Sequence, residues 1–266
     1  MQHCCIVLGI GVALPSDLQN MLLLFSLTLF LITLAGGSIP LWSRSWNEQR
    51  MKYLLAFSGA FLLSITLLHL VPETLEHTGH NGGIFILAGF FLQQMVQRFT
   101  HGVEHGHAHI GGDHHHHVPV LPVFAGLAVH AFSEGLPLGI SYTDPATLPS
   151  LFVAIAFHKL PEAMLITSLV YFGNRNKRNA WLLLILFSLI TPVAGMLTAT
   201  LGAHYSSVAT FVNWCVPLIA GAFIHIATTI FFESGTKTHD MNWKKWTAVL
   251  SGIGLALLTL LGGHHG

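Results

Sequence analysis

The chain has 266 residues, of which 52% are hydrophobic and only 8% are Asp, Glu, Lys or Arg. An ordinary soluble domain carries about 25% charged residues, so this balance excludes most soluble folds and points to an integral membrane protein. The formal net charge is zero, which gives no footing for nucleic-acid binding, and three cysteines (Cys4, Cys5, Cys215) are too few and too badly spaced for a disulfide framework or a thiolate zinc site.

Taken in chain order, residues 1–17 contain an apolar run too short to span, with no basic segment before it and no clean cleavage site. They read as an outer N-terminal tail, and Met21 is an alternative start. A spanning helix needs about 20 mostly apolar residues. Eight stretches meet that need, near 20–42, 53–72, 83–99, 118–142, 150–172, 181–203, 211–232 and 246–262. The third is the shortest and ends in the polar run QQMVQRF. The expected fold is an all-α integral membrane protein of eight transmembrane helices, one domain over 1–266.

Orientation follows from Lys and Arg, which gather on the cytoplasmic side. Arg44, Arg50, Lys52, Arg98, Arg175, Lys177, Arg178, Lys237, Lys244 and Lys245 all fall on one side of an eight-span chain. Lys159 lies inside a span. Both termini are then outside. The longest polar segment, THGVEHGHAHIGGDHHHH at 100–117, becomes a cytoplasmic loop. It holds His101, His105, His107, His109, His114, His115, His116 and His117 and reads as a metal-binding tract. No phosphate-binding loop occurs, which argues against an ATP-driven pump.

The fourth and fifth spans carry HAFSEGLPLG (130–139) and HKLPEA (158–163). A charged side chain at the bilayer centre costs on the order of 3 kcal/mol on insertion scales, so Glu134 and Glu162 require compensation. In each span a His stands four residues before the Glu, so both project from one helical face. One such pair could be a structural hydrogen bond. Two copies in the same order on consecutive spans instead suggest two imidazoles and two carboxylates around a divalent metal. Pro137 and Pro161 each remove a backbone hydrogen bond, so broken helices lining a cavity are expected there. His69 and Glu73 repeat the spacing at the outer end of span two and suggest outer metal capture. His225, alone in span seven, reads as a hydrogen-bonded core histidine.

These residues resemble the ZIP (Zrt/Irt-like) metal transporters. HAFSEGLPLG and HKLPEA look like that family's signature helices, supported by LHLVPE closing span two and GAFIHIATTIFFES in span seven. The resemblance covers about residues 20 to 262. It implies a ZIP-like bundle in which the first three and last three spans form inverted repeats around spans four and five. It also implies uptake of divalent metal into the cytoplasm, with zinc favoured and iron(II), manganese(II) or cadmium(II) alternatives, through His130, Glu134, His158 and Glu162. Many members of the family hold a second metal with polar residues after each histidine. Here those positions are Ala131 and Lys159, and Thr191 replaces a carboxylate before Pro192. One metal is therefore expected, with the Lys159 ammonium in the second ion's electrostatic role, paired with Glu134 or Glu162.

An intramembrane zinc hydrolase would need a free general base beside three ligands, and no HExxH motif is present. A cation-diffusion exporter usually has fewer spans and a soluble metal-binding tail. No catalytic cofactor is expected. The expected partners are lipid and a divalent metal ion, with homodimerisation left open. The short loops suggest a bacterial inner membrane.

Overall fold

The computed structural model describes residues 16–42, 48–99, 120–140, 148–174, 176–233 and 242–263. Most of the expected N-terminal tail and the whole histidine-rich segment 100–117 lie outside the described residues. Every regular element among them is helical: α1 (Ser16–Trp42), α2 (Glu48–Ile65), a π-helical turn (Thr66–Leu70), α3 (Val71–Thr78), α4 (Asn81–Phe99), α5 (Val120–Ile140), α6 (Leu148–Asn174), α7 (Lys177–His204), α8 (Ser206–Glu233) and α9 (Trp243–Gly263). With α2, the π turn and α3 taken as one rod, eight rods result.

Among the described residues, five stretches are long and apolar enough to cross a bilayer: Asn20–Trp42, Lys52–Thr78, Leu151–Tyr171, Lys177–His204 and Ser206–Phe231. Val123–Gly139 in α5 is a shorter apolar helix. Large apolar side chains cover the outer surface, among them Leu24 and Leu27 on α1, Ile84, Phe91 and Met95 on α4, and Leu182 on α7. Exposed apolar surface on this scale would be a liability in water and is the natural boundary against lipid.

The helices fall into two groups. α1, α5, α6 and α7 pack together through α1 on α6, α1 on α7, α5 on α7 and α6 on α7. α2, α4, α8 and α9 pack through α4 on α8, α2 on α9 and α2 on α8. The contact pattern has an internal two-fold. The α1–α6 pair is matched by α7–α5, α4–α8 by α9–α2, and α2–α6 by α8–α5. An exchange of α1, α2 and α4 with α7, α8 and α9, and of α5 with α6, gives that permutation.

Without water between helices, van der Waals packing and close backbone approach hold such a bundle. A Cβ at Gly135 would overlap the Thr191 carbonyl, and one at Gly139 would overlap the Gly195 carbonyl. Glycine is therefore required where α5 rides on α7. Thr191 Oγ1 also donates to the Ala131 carbonyl at 2.8 Å across this seam.

One expectation is corrected. α5 and α6 continue through Pro137 and Pro161 as unbroken helices. Removing one backbone donor does not interrupt a helix that is packed on several sides. Irregular geometry occurs instead at Thr66–Leu70, the π turn that carries His69.

Candidate metal-binding site

α5 presents His130 and Glu134 one turn apart, and α6 presents His158 and Glu162 in the same way. The two faces meet at the centre of the bundle, where all four side chains are buried. One ligand atom from each lies within 4.8 Å of the others. His130 Nε2 stands 2.9 Å from Oε1 of Glu134 and 2.9 Å from Oε1 of Glu162. His158 Nε2 stands 3.7 Å and 3.2 Å from the same two oxygens. The rings are nearly perpendicular, with centroids 5.8 Å apart.

A tetrahedral zinc with ligands at about 2.1 Å holds neighbouring ligand atoms about 3.4 Å apart. The four N–O distances bracket that value. Imidazole–carboxylate hydrogen bonds could give similar lengths, but the angles do not fit. Both Nε2 atoms and Oε1 of Glu134 are buried without a hydrogen bond of standard geometry. Buried polar atoms are nearly always satisfied. Buried imidazole and carboxylate atoms gathered around one point without standard hydrogen bonds suit a cation.

The opposite face of both carboxylates is closed by Lys159. Its Nζ ion-pairs with Oε2 of Glu134 and lies 2.6 Å from Oε2 of Glu162. The side chain is only 1% exposed, and its ammonium sits 4.9 Å from the Phe187 ring centroid. A lysine can be this buried only when its charge is matched. Here two acids and an aromatic face match it.

Sequence reasoning did not single out Ser58 of α2, whose Oγ lies 3.4 Å from His158 Nδ1. If Nδ1 carries the proton, Nε2 keeps its lone pair for a metal, which is the usual outer support of a metal-binding histidine. A serine inside the apolar run AFSGAF was the available signal. Phe187, under Lys159, left none, because one aromatic among many apolar residues looks like packing.

The other expected residues lie elsewhere. His69 Nε2 meets Thr259 Oγ1 of α9 at 3.1 Å. Among the described residues, His69 and Glu73 do not join a group of three or more potential ligands. His225 Nε2 meets Gln97 Oε1 of α4 at 2.6 Å and stacks edge-on to Phe90, as a structural histidine does.

Comparison with known proteins adds an independent line. The sequence profile of the family described as ZIP Zinc transporter matches residues 105–260, which include α5 to α8 and most of α9. The chain is 25% identical to zinc transporter YKE4 of Saccharomyces cerevisiae over 259 residues, covering 80% of this chain and 71% of that protein. It is 26% identical to zinc transporter ZIP9 of Xenopus tropicalis over 262 residues, covering 82% and 86%. Against zinc transporter ZIP9 of Micropogonias undulatus it is 23% identical over 303 aligned positions, covering 91% and 97%. These relatives are eukaryotic, so they lend no support to the bacterial membrane expected above.

Proposed function

This chain belongs to the ZIP zinc transporter family, and on that premise we propose that it carries zinc into the cytoplasm through a single ion site between α5 and α6. It is a membrane transporter of divalent metal rather than an enzyme. The observation that carries the site is the convergence of four buried side chains, two from each helix, within 4.8 Å. His130, Glu134, His158 and Glu162 are the ligands in this reading. Zinc is favoured over iron(II), manganese(II) or cadmium(II) because the relatives are named as zinc transporters.

Eight spans with both termini outside suit the gathering of Lys and Arg at one end. Zinc meets His69 and Glu73 at the outer mouth, loses water and is taken by the four ligands. Lys159 holds the far oxygens of both carboxylates, where a second cation would otherwise bridge them, so each cycle moves one ion. The two helix groups then shift against each other to open the inner side, and the histidines of 100–117 receive the ion.

Zinc uptake into proteoliposomes tests the site. The wild-type chain takes up zinc, and Glu162→Ala, inserted at equal amount, does not. Wild-type rates in that variant would remove Glu162 from the ligand set. Direction is tested separately: cells expressing the chain accumulate zinc, whereas an exporter would deplete it.

A further inference from the structure

Among the described residues, Lys159 and Phe187 are two of the largest side chains to be fully buried, each at 1% exposure. The ammonium of one lies over the ring of the other, 4.9 Å from its centroid. That is inside the roughly 6 Å reach of a cation–π contact, which is strongest where water is excluded. Phe187 offers no atom to a metal, and its helix, α7, supplies none of the four proposed ligands. Its helix is nevertheless tied to them. One turn on, Thr191 Oγ1 donates to the Ala131 carbonyl at 2.8 Å, and Gly135 leaves no room for a Cβ against the Thr191 carbonyl. The helix of Glu134 and the helix of Phe187 are thus joined, and both side chains meet the one ammonium.

The ammonium has two kinds of partner, and they respond differently to an ion. Its carboxylate partners, Glu134 and Glu162, also face the two imidazoles where an ion would sit. Once a dication draws on them they hold the ammonium less strongly, and the dication repels it. The aromatic face carries a fixed quadrupole that no ligand shares. Its attraction for the ammonium survives loading. Only an interaction that differs between two states shifts the balance between them. The ring counts for more when the carboxylates are occupied, so it favours the loaded cluster over the empty one.

We propose that Phe187 is a positioning residue for Lys159, an inference that rests on the single-ion site between α5 and α6. Its ring steadies the ammonium while a dication occupies the four ligands, and so raises the affinity of a site that already holds a positive charge. α7 thus takes part in ion binding through electrostatics rather than ligation. An aliphatic side chain of similar bulk would fill the space and leave the ammonium unsupported on that side.

Fluorine withdraws charge from a ring face while changing ring size little, so a fluorinated series separates electrostatics from packing. The full chain, with mono-, di- or trifluorinated phenylalanine in place of Phe187, is reconstituted in proteoliposomes, and the zinc concentration for half-maximal uptake is measured. It rises stepwise with fluorine number, by about fivefold at three fluorines, and Phe187→Leu raises it at least as far. In a Lys159→Met background the same series is flat, because no ammonium remains for the ring to hold. A flat series with Lys159 in place would overturn the proposal. So would an equal rise with and without Lys159, or a fall on fluorination. These outcomes depend on near-isosteric rings rather than on a disruptive variant that must fold. Glu162→Ala is measured alongside. Wild-type uptake in that variant would overturn the ion site and this proposal with it, whereas loss of uptake there with a flat series would overturn only the role of Phe187.

Discussion

Glu134 and Glu162 divide their oxygens in the same way: each turns Oε1 toward the two imidazoles and Oε2 toward Lys159. Each carboxylate thus faces two positions at once, one between the imidazoles and one filled by a tethered ammonium. With neutral imidazoles the empty cluster has two negative charges and one positive, a net −1. A bound dication makes it +1. Without the lysine the same two states would be −2 and 0. The cost of charge in a low-dielectric interior rises with its square, so the lysine removes the most expensive state, the empty one.

Replacing Lys159 therefore separates binding from turnover. Lys159→Met is expected to bind zinc more than about tenfold tighter, because a like charge close to the ion is removed. Its transport cycle should be slower, because the empty site must now move with two uncompensated acids. Calorimetry and proteoliposome flux measure the two effects. Two zinc ions per wild-type chain, by calorimetry or anomalous scattering, would contradict the single-ion reading.

Loss of a ligand gives a different signature. Glu134→Ala and His158→Ala should each lower zinc affinity by more than about 100-fold, since even outer-sphere partners of a metal are worth 10- to 100-fold. Both proteins should remain inserted, as judged by membrane fractionation. Full uptake by either would exclude that residue as a ligand.

Acid should inhibit. Imidazoles bind metal only when neutral and carboxylates only when ionised, so protons compete with zinc for the same atoms. Falling pH raises the protonated fraction and weakens binding, by up to about tenfold per unit for each proton displaced. Initial rates of zinc uptake between pH 7.5 and 5.5, at zinc below saturation, check the sign. Rates that hold steady or rise toward pH 5.5 would count against the His/Glu set.

Ser58 is expected to act through His158. Ser58→Ala leaves Nδ1 of that ring without its neighbour and should raise the zinc concentration for half-maximal uptake about tenfold. Ser58→Thr keeps the hydroxyl and should recover most of the loss. Identical behaviour of the alanine and threonine variants would show that the hydroxyl has no part in binding.

Much of this was legible in the chain. The four-residue spacing of His130 with Glu134 and of His158 with Glu162 placed each pair on one face, and a low-dielectric setting made partners necessary. That the two faces meet depends on packing between helices, which neither segment encodes alone. The prolines misled because their local cost was visible while the packing that keeps α5 and α6 continuous was not. The π turn at 66–70 was illegible for the same reason: TLLHL is an ordinary apolar helical run, and only its surroundings widen it. Ser58 shows the limit from another side, since a serine gains meaning only from a residue 100 positions away.

The backbone contact at Gly135 and Gly139 has a mechanical implication. Where two helices touch main chain to main chain, no side chain is left to change rotamer, and sliding would collide with the Thr191 and Gly195 carbonyls at once. α5 and α7 are therefore locked to each other at this seam. Any slip plane has to run where larger, deformable groups meet, as between Phe57 and Phe61 of α2 and Phe157 of α6. Ser58 lies beside Phe57 on that boundary and approaches His158 from α2. In the proposed cycle, relative movement of α2 and α6 makes or breaks the contact between Ser58 and His158, so that grip on the ion and helix position change together.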